Sequence, residues 1–247
     1  MKTGTDSGRV RQRKSLVRRP RRQAMSLADT LTDSPEEVAS LIEHTNVDPA
    51  STEAEVRALC EEVLEYGFHA AVVVPYHAEL ASKLLGDRAN VVAVVGFPYG
   101  IQSSAAKRAE TRALLEHADE LDMVMNRTAF ADGDDETVVE DIAAVREVVG
   151  ERTLKCIIES PALSRPEIRR AAALAEEGGA DIVKTAVGYD GPTDPADVEA
   201  IHDAVAPGTG VKASGGIGSF ETALAMVQAG ATRIGASSGV EIYESAR

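Results

Sequence analysis

The chain has 247 residues, of which 44% are hydrophobic, and a formal net charge of -14 at pH 7. This size suits one large domain or two small ones, and no segment reaches the length and apolarity of a membrane-spanning helix. The acidic balance disfavours nucleic acid as a partner.

The charge is divided unevenly along the chain. Residues 1–24 hold nine Lys and Arg against one Asp, a balance of +8, which leaves -22 for residues 25–247. We expect residues 1–24 to be a disordered basic arm outside the fold, with Met25 as the natural start. No apolar run follows the arginines, so the arm lacks the pattern of a secretory signal. The acidic remainder indicates adaptation to a very salty cytoplasm, and an ordinary acidic enzyme is the alternative.

Eight short apolar runs follow one another along the chain, and each has the character of a strand. They cover residues 40–45, 69–75, 90–98, 120–126, 154–160, 180–186, 211–217 and 233–239. The stretches between them are rich in Ala, Glu and Leu, and three begin at a Ser or Thr cap and end at a Gly, namely 51–67, 164–179 and 219–230. This alternation predicts an α/β protein with a parallel sheet, and eight units predict a single (β/α)8 TIM barrel over 25–247. The structural alternative is a doubly wound open sheet, but its GxGxxG fingerprint is absent after the first strand.

Two lysines stand in the apolar runs of adjacent predicted strands, Lys184 in the sixth and Lys212 in the seventh. A charged lysine in such a place costs several kcal/mol unless it is paired. Because alternate residues of a strand share a face, and neighbouring strands lie about 4.8 Å apart, the two side chains are expected to meet inside the barrel. Burial and mutual repulsion would lower a lysine pKa, and a neutral lysine is a nucleophile for carbonyl groups. The pattern therefore predicts Schiff-base catalysis by one lysine, tuned by the other.

Further candidates lie near the carboxyl ends of predicted strands, where TIM barrels carry their chemistry. Asp122 in the fourth strand is either a general acid/base or only a counter-ion for Lys212. Lys155 in the fifth strand shares a face with Glu159, and we expect these two to pair and to support the site. Small residues after the seventh and eighth strands predict a phosphate site that includes Gly215, Gly216, Gly235, Ser237 and Ser238.

The sequence carries no pattern of a metal or cofactor site. The five histidines lack HExxH or another ligand spacing, and Cys60 and Cys156 form no CxxC pair. We therefore expect no metal, no cofactor and two buried thiols in a reducing cytosol. His44, at the end of the first strand, either lines the pocket or only packs. Asp119 and Glu120, just before the fourth strand, are expected to be solvated.

Four of these runs resemble motifs of the deoxyribose-phosphate aldolase family, which are class I aldolases on a TIM barrel. They are ELDMVMN (120–126), IVKTAVGY (182–189), VKASGGI (211–217) and RIGASSG (233–239), and IEHTNVDP, VVGFPYG and LKCIIES are similar to further family segments. The resemblance implies reversible cleavage of 2-deoxy-D-ribose 5-phosphate to acetaldehyde and D-glyceraldehyde 3-phosphate, without a cofactor, by a cytoplasmic dimer or tetramer. It implies that Lys184 forms the Schiff base. It also implies that Lys212 perturbs Lys184 and, together with Asp122, relays protons. It also places Thr45 near the substrate and Gly188, Gly216, Ser237 and Ser238 at its phosphate.

The chain departs from the family pattern at several positions. Ala186 and Val187 stand where the family usually has Ser and Thr, so the contacts to the sugar hydroxyls are expected to differ. Glu43 replaces the commoner Asp. The chain stops soon after Tyr243, and this shorter end predicts looser phosphate specificity. Two other functions stay open: a different Schiff-base enzyme, such as another phosphosugar aldolase or a transaldolase-like one, and a non-catalytic phosphate-binding barrel.

Overall fold

The computed structural model describes residues 26–247, and the predicted basic arm, residues 1–24, lies outside the described residues. Eight parallel strands close into a barrel in chain order, with β8 hydrogen-bonded to β1. The strands are β1 (Ile42–Asn46), β2 (Ala70–Val73), β3 (Asn90–Val95), β4 (Glu120–Val124), β5 (Thr153–Ile157), β6 (Ile182–Lys184), β7 (Gly210–Ser214) and β8 (Arg233–Ala236). The predicted TIM barrel and its eight strands are confirmed. Most strands end earlier than the apolar runs, because the last residues of each run leave the sheet and enter the loops.

Helices cover the outside of the barrel. In residues 26–247 they are α1 (Leu27–Asp33), α2 (Glu53–Tyr66), α3 (Ala78–Leu85), α4 (Ser104–Leu114), α5 (Arg127–Asp132), α6 (Asp135–Val149), α7 (Arg165–Glu177), α8 (Pro195–His202), α9 (Phe220–Gln228) and α10 (Gly239–Glu244). Short 3₁₀ segments cover Pro35–Leu41, Pro75–His77, Gly86–Arg88 and Ser160–Ala162. None of these helices is long and apolar enough to cross a membrane.

The predicted helix caps illustrate how local sequence sets these boundaries. Thr52 and Glu55 exchange hydrogen bonds at the start of α2, because the first turn of a helix leaves its N–H groups without partners. The same helix ends at Gly67, whose φ of 69° is the left-handed conformation that glycine adopts without strain. Capping boxes also begin α7 and α9.

The residues inside the barrel divide into an apolar part and an ionic part. Alternate residues of β2 and β3 point inward and form a small apolar cluster, made of Ala70, Val72, Val92 and Val94. Their neighbours along the strands face the helices and belong to the main core, as Ala71 and Val95 do. Across the barrel, fully buried charged side chains take the inward positions, including those of Asp122, Lys155 and Lys212. Small inward residues on one side leave room for long charged side chains from the other.

The two cysteines are free and buried, as predicted for thiols without a partner. Burial raises the pKa of Cys60 to about 11 and that of Cys156 to about 12, so both thiols stay protonated and unreactive near neutral pH.

Candidate active site

A cavity of about 1100 Å³ opens at the carboxyl ends of the strands, between the loops that follow β1, β6, β7 and β8. It brings together eight of the residues predicted for the site, which are Thr45, Lys184, Gly188, Gly215, Gly216, Gly235, Ser237 and Ser238. Val187 also lines the cavity, whereas Ala186 is fully buried behind it. His44 also lines the cavity, and the other predicted residues lie below or beside it.

Lys184 and Lys212 are direct neighbours in the register of β6 and β7, as the alternation of their strands predicts. Asp122 of β4 lies between them, and its Oδ2 accepts a hydrogen bond from Lys184 Nζ at 2.8 Å and from Lys212 Nζ at 2.7 Å. The predicted pairing of Asp122 with Lys212 is therefore present. Lys184 lines the cavity, whereas Asp122 and Lys212 are fully buried beneath it.

This arrangement leaves Lys184 as the one lysine of the three that reaches the cavity. Burial lowers the pKa of Lys184 to about 8, and the Lys212 charge acts in the same direction, while Asp122 opposes both. Burial by itself would raise the pKa of Asp122, but the charges of Lys155, Lys184 and Lys212 hold it well below the usual range. A pKa of about 8 leaves roughly a tenth of Lys184 neutral at pH 7, far more than for an ordinary lysine, next to a carboxylate that stays ionised.

Lys155 does not pair with Glu159, and that expectation was wrong. Its Nζ lies 2.6 Å from Glu120 Oε2 and 3.0 Å from Asp122 Oδ1. The strand β5 ends before Glu159, which adopts a φ of 58° and therefore leaves the alternation that the sequence suggested. The Glu159 carboxylate instead accepts a hydrogen bond from the Val187 backbone N–H at 2.9 Å, beside the cavity wall.

Glu120 is also not solvated as expected, although Asp119 is exposed. Glu120 is the first residue of β4, and its side chain is only 12% exposed. Burial by itself would raise its pKa, but a hydrogen bond with His69 and the Lys155 charge lower it to about 2. Sequence reasoning missed this residue because a carboxylate at the start of a strand usually points to solvent.

Glu43 completes the charged interior. It is fully buried in β1 and forms an ion pair with Lys212, while Lys155 Nζ lies 3.3 Å from its Oε2. We call Lys155, Lys184, Lys212, Glu43, Glu120 and Asp122 the buried ion cluster. The half-buried Arg233, at the start of β8, lies at its edge, with Nε 4.0 Å from Glu43 Oε1. When all six groups are ionised, the three lysines and the three carboxylates cancel formally, which is how a barrel interior tolerates so many charges. A carboxylate inside the apolar run of β1 was the available sequence signal for Glu43.

Gly235 has a packing role inside this cluster in addition to its place in the cavity wall. A Cβ there would lie 2.9 Å from Lys212 Cε and 2.4 Å from Ser214 Oγ, so only glycine leaves room for the lysine. Gly215 and Gly216 have φ values of 103° and 73°, which explains glycine at both positions of the turn after β7.

A second buried ion pair, also missed from sequence, lies between α4 and α6. Lys107 Nζ is 2.5 Å from Asp141 Oδ2 and donates to the Val124 carbonyl at 2.9 Å, at the end of β4. Both side chains are fully buried. The pair ties two helices to the strand that carries Asp122, so it supports the site from outside the barrel. Its residues look like ordinary surface charges in a helical pattern.

Three residues are close enough to act together as metal ligands among residues 26–247: Glu43, His69 and Glu120. The Lys155 ammonium forms ion pairs with both of these carboxylates and supplies positive charge at that place. The expectation that the protein uses no metal and no cofactor stays a prediction.

Comparison with known proteins agrees with this geometry. Residues 38–245 match the family model described as DeoC/LacD family aldolase. The chain is 44% identical over 218 residues to the deoxyribose-phosphate aldolase of Thermococcus gammatolerans, and the match covers 85% of this chain and 97% of that protein. It is 44% identical over 212 residues to deoxyribose-phosphate aldolase 1 of Bacillus licheniformis, covering 84% and 95%.

A solved structure of the deoxyribose phosphate aldolase from Aeropyrum pernix, described as tetrameric, superimposes with a TM-score of 0.79. It is 35% identical, and the match covers 86% of this chain and 92% of that one. Sequence and fold therefore agree over nearly all of the barrel. The chain belongs to the DeoC/LacD family of aldolases.

Proposed function

We propose that this aldolase reversibly cleaves 2-deoxy-D-ribose 5-phosphate to acetaldehyde and D-glyceraldehyde 3-phosphate through a Schiff base on Lys184. The observation that carries the proposal is the position of Lys184 in the cavity wall, with its pKa lowered to about 8 and its Nζ 2.8 Å from Asp122 Oδ2. The names of the Thermococcus and Bacillus relatives support the choice of substrate.

The chemistry follows from a neutral amine in a cavity. The Lys184 amine adds to the C1 aldehyde of the open-chain sugar, and loss of water leaves a protonated imine. Removal of the C3 hydroxyl proton breaks the C2–C3 bond, and the bonding electrons move through C2 toward the imine nitrogen. D-glyceraldehyde 3-phosphate leaves and an enamine remains. Protonation at C2 and hydrolysis of the imine then release acetaldehyde and restore Lys184.

Lys212 and Asp122 are proposed to serve the proton steps together, through water in the cavity. The low pKa of Asp122 favours a fixed negative charge over a proton donor at this carboxyl. Lys212 Nζ, 2.7 Å from the same Oδ2 that Lys184 uses, is then the member of the pair that carries a proton. This division of roles differs from the simplest expectation, in which Asp122 itself exchanges the proton.

The phosphate is proposed to bind the turns after β7 and β8. Gly215 and Gly216 carry no side chain that would keep a phosphate from their backbone N–H groups, and Ser237 and Ser238 add hydroxyls in the same cavity wall. Gly188 lies in the neighbouring loop, after β6. Thr45, whose Oγ1 donates to the Glu43 carbonyl at 2.9 Å, is proposed to lie beside the sugar.

We also propose a homo-oligomer in the cytoplasm. The tetramer named for the Aeropyrum relative supports self-association, and two free buried thiols suit a reducing compartment.

One pair of assays tests the proposed reaction. Release of D-glyceraldehyde 3-phosphate from 2-deoxy-D-ribose 5-phosphate is followed as NADH consumption, with triose-phosphate isomerase and glycerol 3-phosphate dehydrogenase as coupling enzymes. The protein is separately treated with acetaldehyde and borohydride. We expect product release and a mass increase from reductive alkylation at Lys184. Trapping without product release would indicate a different Schiff-base aldolase, for which a panel of aldehydes identifies the acceptor. A protein that neither traps nor cleaves would be a phosphate-binding barrel.

A further inference from the structure

Lys184 is the last residue of the shortest strand of the barrel. β6 has only three residues, Ile182–Lys184, so the sheet stops holding the chain directly after the lysine that is proposed to form the Schiff base. Val187 and Gly188 follow within four residues and line the cavity. The bonds that hold residues 185–188 therefore also set the direction of the Lys184 amine and the shape of the wall beside it.

The chain after β6 is held from both sides, and on one side by a side chain. Toward β7, Thr185 Oγ1 donates a hydrogen bond to the Ser214 carbonyl at 2.9 Å. Toward β5, the Ser160 N–H donates to the Thr185 carbonyl at 2.7 Å. The Glu159 side chain lies beside the same segment, and its Oε2 accepts a hydrogen bond from the Val187 N–H at 2.9 Å. This carboxyl oxygen takes the place of a main-chain acceptor and extends the pairing of β5 with β6 beyond the sheet.

The position is an unfavourable one for a glutamate. Among residues 26–247, Glu159 is the one residue other than glycine with a positive φ, which is 58°. Its side chain is buried, its Oε1 has no hydrogen-bond partner among the same residues, and burial raises its pKa. Backbone strain, lost hydration and an unpaired oxygen all oppose folding. Strain of this kind is typical of residues that their surroundings hold in place at a functional site.

We infer that Glu159 is a positioning residue of the aldolase reaction, which fixes the chain after Lys184, and so the direction of its amine, by holding the Val187 N–H. Glu159 is only 1% exposed, and Val187 and Gly188 form the cavity wall in front of it. It therefore acts through Val187 and not by contact with substrate. The role rests on the proposed function. It holds for either charge state of Glu159, because a neutral carboxyl and a carboxylate both accept a hydrogen bond.

A pair of variants separates this role from a contribution to stability. Glu159→Ala and Glu159→Gly both remove the carboxyl, but only glycine adopts the left-handed conformation without strain. The glycine variant is therefore expected to melt a few degrees higher than the alanine variant. Both are expected to lose kcat for 2-deoxy-D-ribose 5-phosphate by about 10- to 100-fold, because the amine is misdirected. KM is expected to change less than about threefold, since the turns after β7 and β8 are untouched.

Glu159→Gln is the conservative variant, because its amide oxygen is able to accept the Val187 N–H, and its kcat should stay within about threefold of the unchanged chain. Ser160→Ala is the matched control. Ser160 is equally buried, but its hydroxyl donates to Asp197 Oδ2 at 3.2 Å, away from the chain after β6, and kcat is expected to change less than about twofold.

Two results of these assays would overturn the inference. One is a kcat close to that of the unchanged chain in both Glu159→Ala and Glu159→Gly. The other is a loss that follows the melting temperature, large with alanine and absent with glycine, because it would mark a role in stability alone. If Glu159→Ala does not fold, the comparison of Glu159→Gly with Glu159→Gln decides.

Hydrogen exchange, measured by mass spectrometry on peptides that cover residues 184–188, tests the inference without a substrate. We expect exchange about tenfold or more faster in Glu159→Ala and Glu159→Gly than in the unchanged chain, and little change in Glu159→Gln. Absence of cleavage together with this difference would reject the proposed substrate but retain the bond to Val187, and the rate of borohydride trapping at Lys184 with acetaldehyde then replaces kcat. Equal exchange in all four proteins would reject the role of Glu159 whatever the aldolase assay gives.

Discussion

Lys184 and Lys212 are paired in the register of two adjacent strands, and their ammonium nitrogens share one acceptor, Asp122 Oδ2, at 2.8 and 2.7 Å. The two lysines therefore act on each other both by direct repulsion and through the carboxylate between them. A change at Lys212 is expected to alter the charge state of Lys184, which faces the cavity.

The first prediction concerns the nucleophile. Lys184→Ala is expected to lower aldolase activity at least about a thousandfold and to abolish borohydride trapping with acetaldehyde, because the amine that forms the imine is gone. Mass spectrometry of the trapped protein locates the modified residue. Lys83→Ala is the control, since Lys83 is an exposed lysine paired with Glu79, and it should retain both properties. Undiminished trapping in Lys184→Ala would assign the Schiff base to another lysine.

The second prediction concerns pH dependence. Lys212→Met removes a positive charge beside Lys184 and leaves Asp122 Oδ2 to Lys184 alone, and both changes favour the Lys184 ammonium. Its pKa is therefore expected to rise above the present value of about 8 by roughly one unit or more. Because the neutral amine is the reactive form, kcat/KM at pH 7 falls and the rising limb of the pH profile moves to higher pH.

The charge-retaining variant Lys212→Arg distinguishes this effect from a general loss of packing. We expect its pH profile to stay close to that of the unchanged protein even if the rate falls. A Lys212→Met profile with an unmoved rising limb would show that Lys212 does not tune Lys184.

The third prediction concerns acid stability. The Glu120 pKa is about 2 in the folded chain, whereas an unperturbed glutamate has a pKa of about 4.3, so folding favours the ionised carboxylate. Its contribution to stability is present above the unfolded value and is lost as pH falls from about 5 toward 2, with a total of about 3 kcal/mol. In Glu120→Gln this contribution should be missing at pH 7. Urea unfolding at several pH values measures it.

A second Glu→Gln variant, at an exposed position, is the control for that experiment. Glu221 is exposed on α9, and Glu221→Gln is expected to follow the unchanged protein across the same pH range. If Glu120→Gln loses free energy of unfolding between pH 5 and 2 as steeply as the unchanged protein does, the carboxylate of Glu120 is not the group responsible.

The fourth prediction concerns salt. Residues 25–247 carry a formal charge of -22, and at low ionic strength charges across the surface repel one another over a Debye length of about 30 Å. Near 1 M salt that length falls to about 3 Å, so activity and thermal midpoint are expected to rise with KCl into the molar range. A flat dependence on KCl would contradict adaptation to a salty cytoplasm.

The same melting curves test the predicted basic arm when residues 1–24 are deleted. All strands of the barrel lie within 42–236, and the family match begins at residue 38, so deletion should lower neither activity nor thermal midpoint. Failure of the shortened chain to fold would show that residues 1–24 take part in the structure.

The sequence by itself determined the barrel, its strand order and the two neighbouring lysines. These features depend on local regularities: apolar runs of strand length, helix caps at Thr52, Ser164 and Ser219, and alternation along a strand. Alternation also predicted correctly that Asp122 and Lys212 would meet, because both positions lie well inside regular strands.

Only the tertiary structure decided which charges neutralise one another. Glu43 and Lys212 are separated by 169 positions in the chain, yet they form an ion pair because β1 and β7 lie on either side of β8 in the closed barrel. Lys155 pairs with Glu120 and Asp122 rather than Glu159, because Glu159 adopts a left-handed backbone conformation after its strand ends. His44 likewise meets Glu62 only where α2 packs on β1. Closure of the whole barrel sets the partner of each buried charge, whereas local periodicity sets only the strand face from which the charged side chain projects.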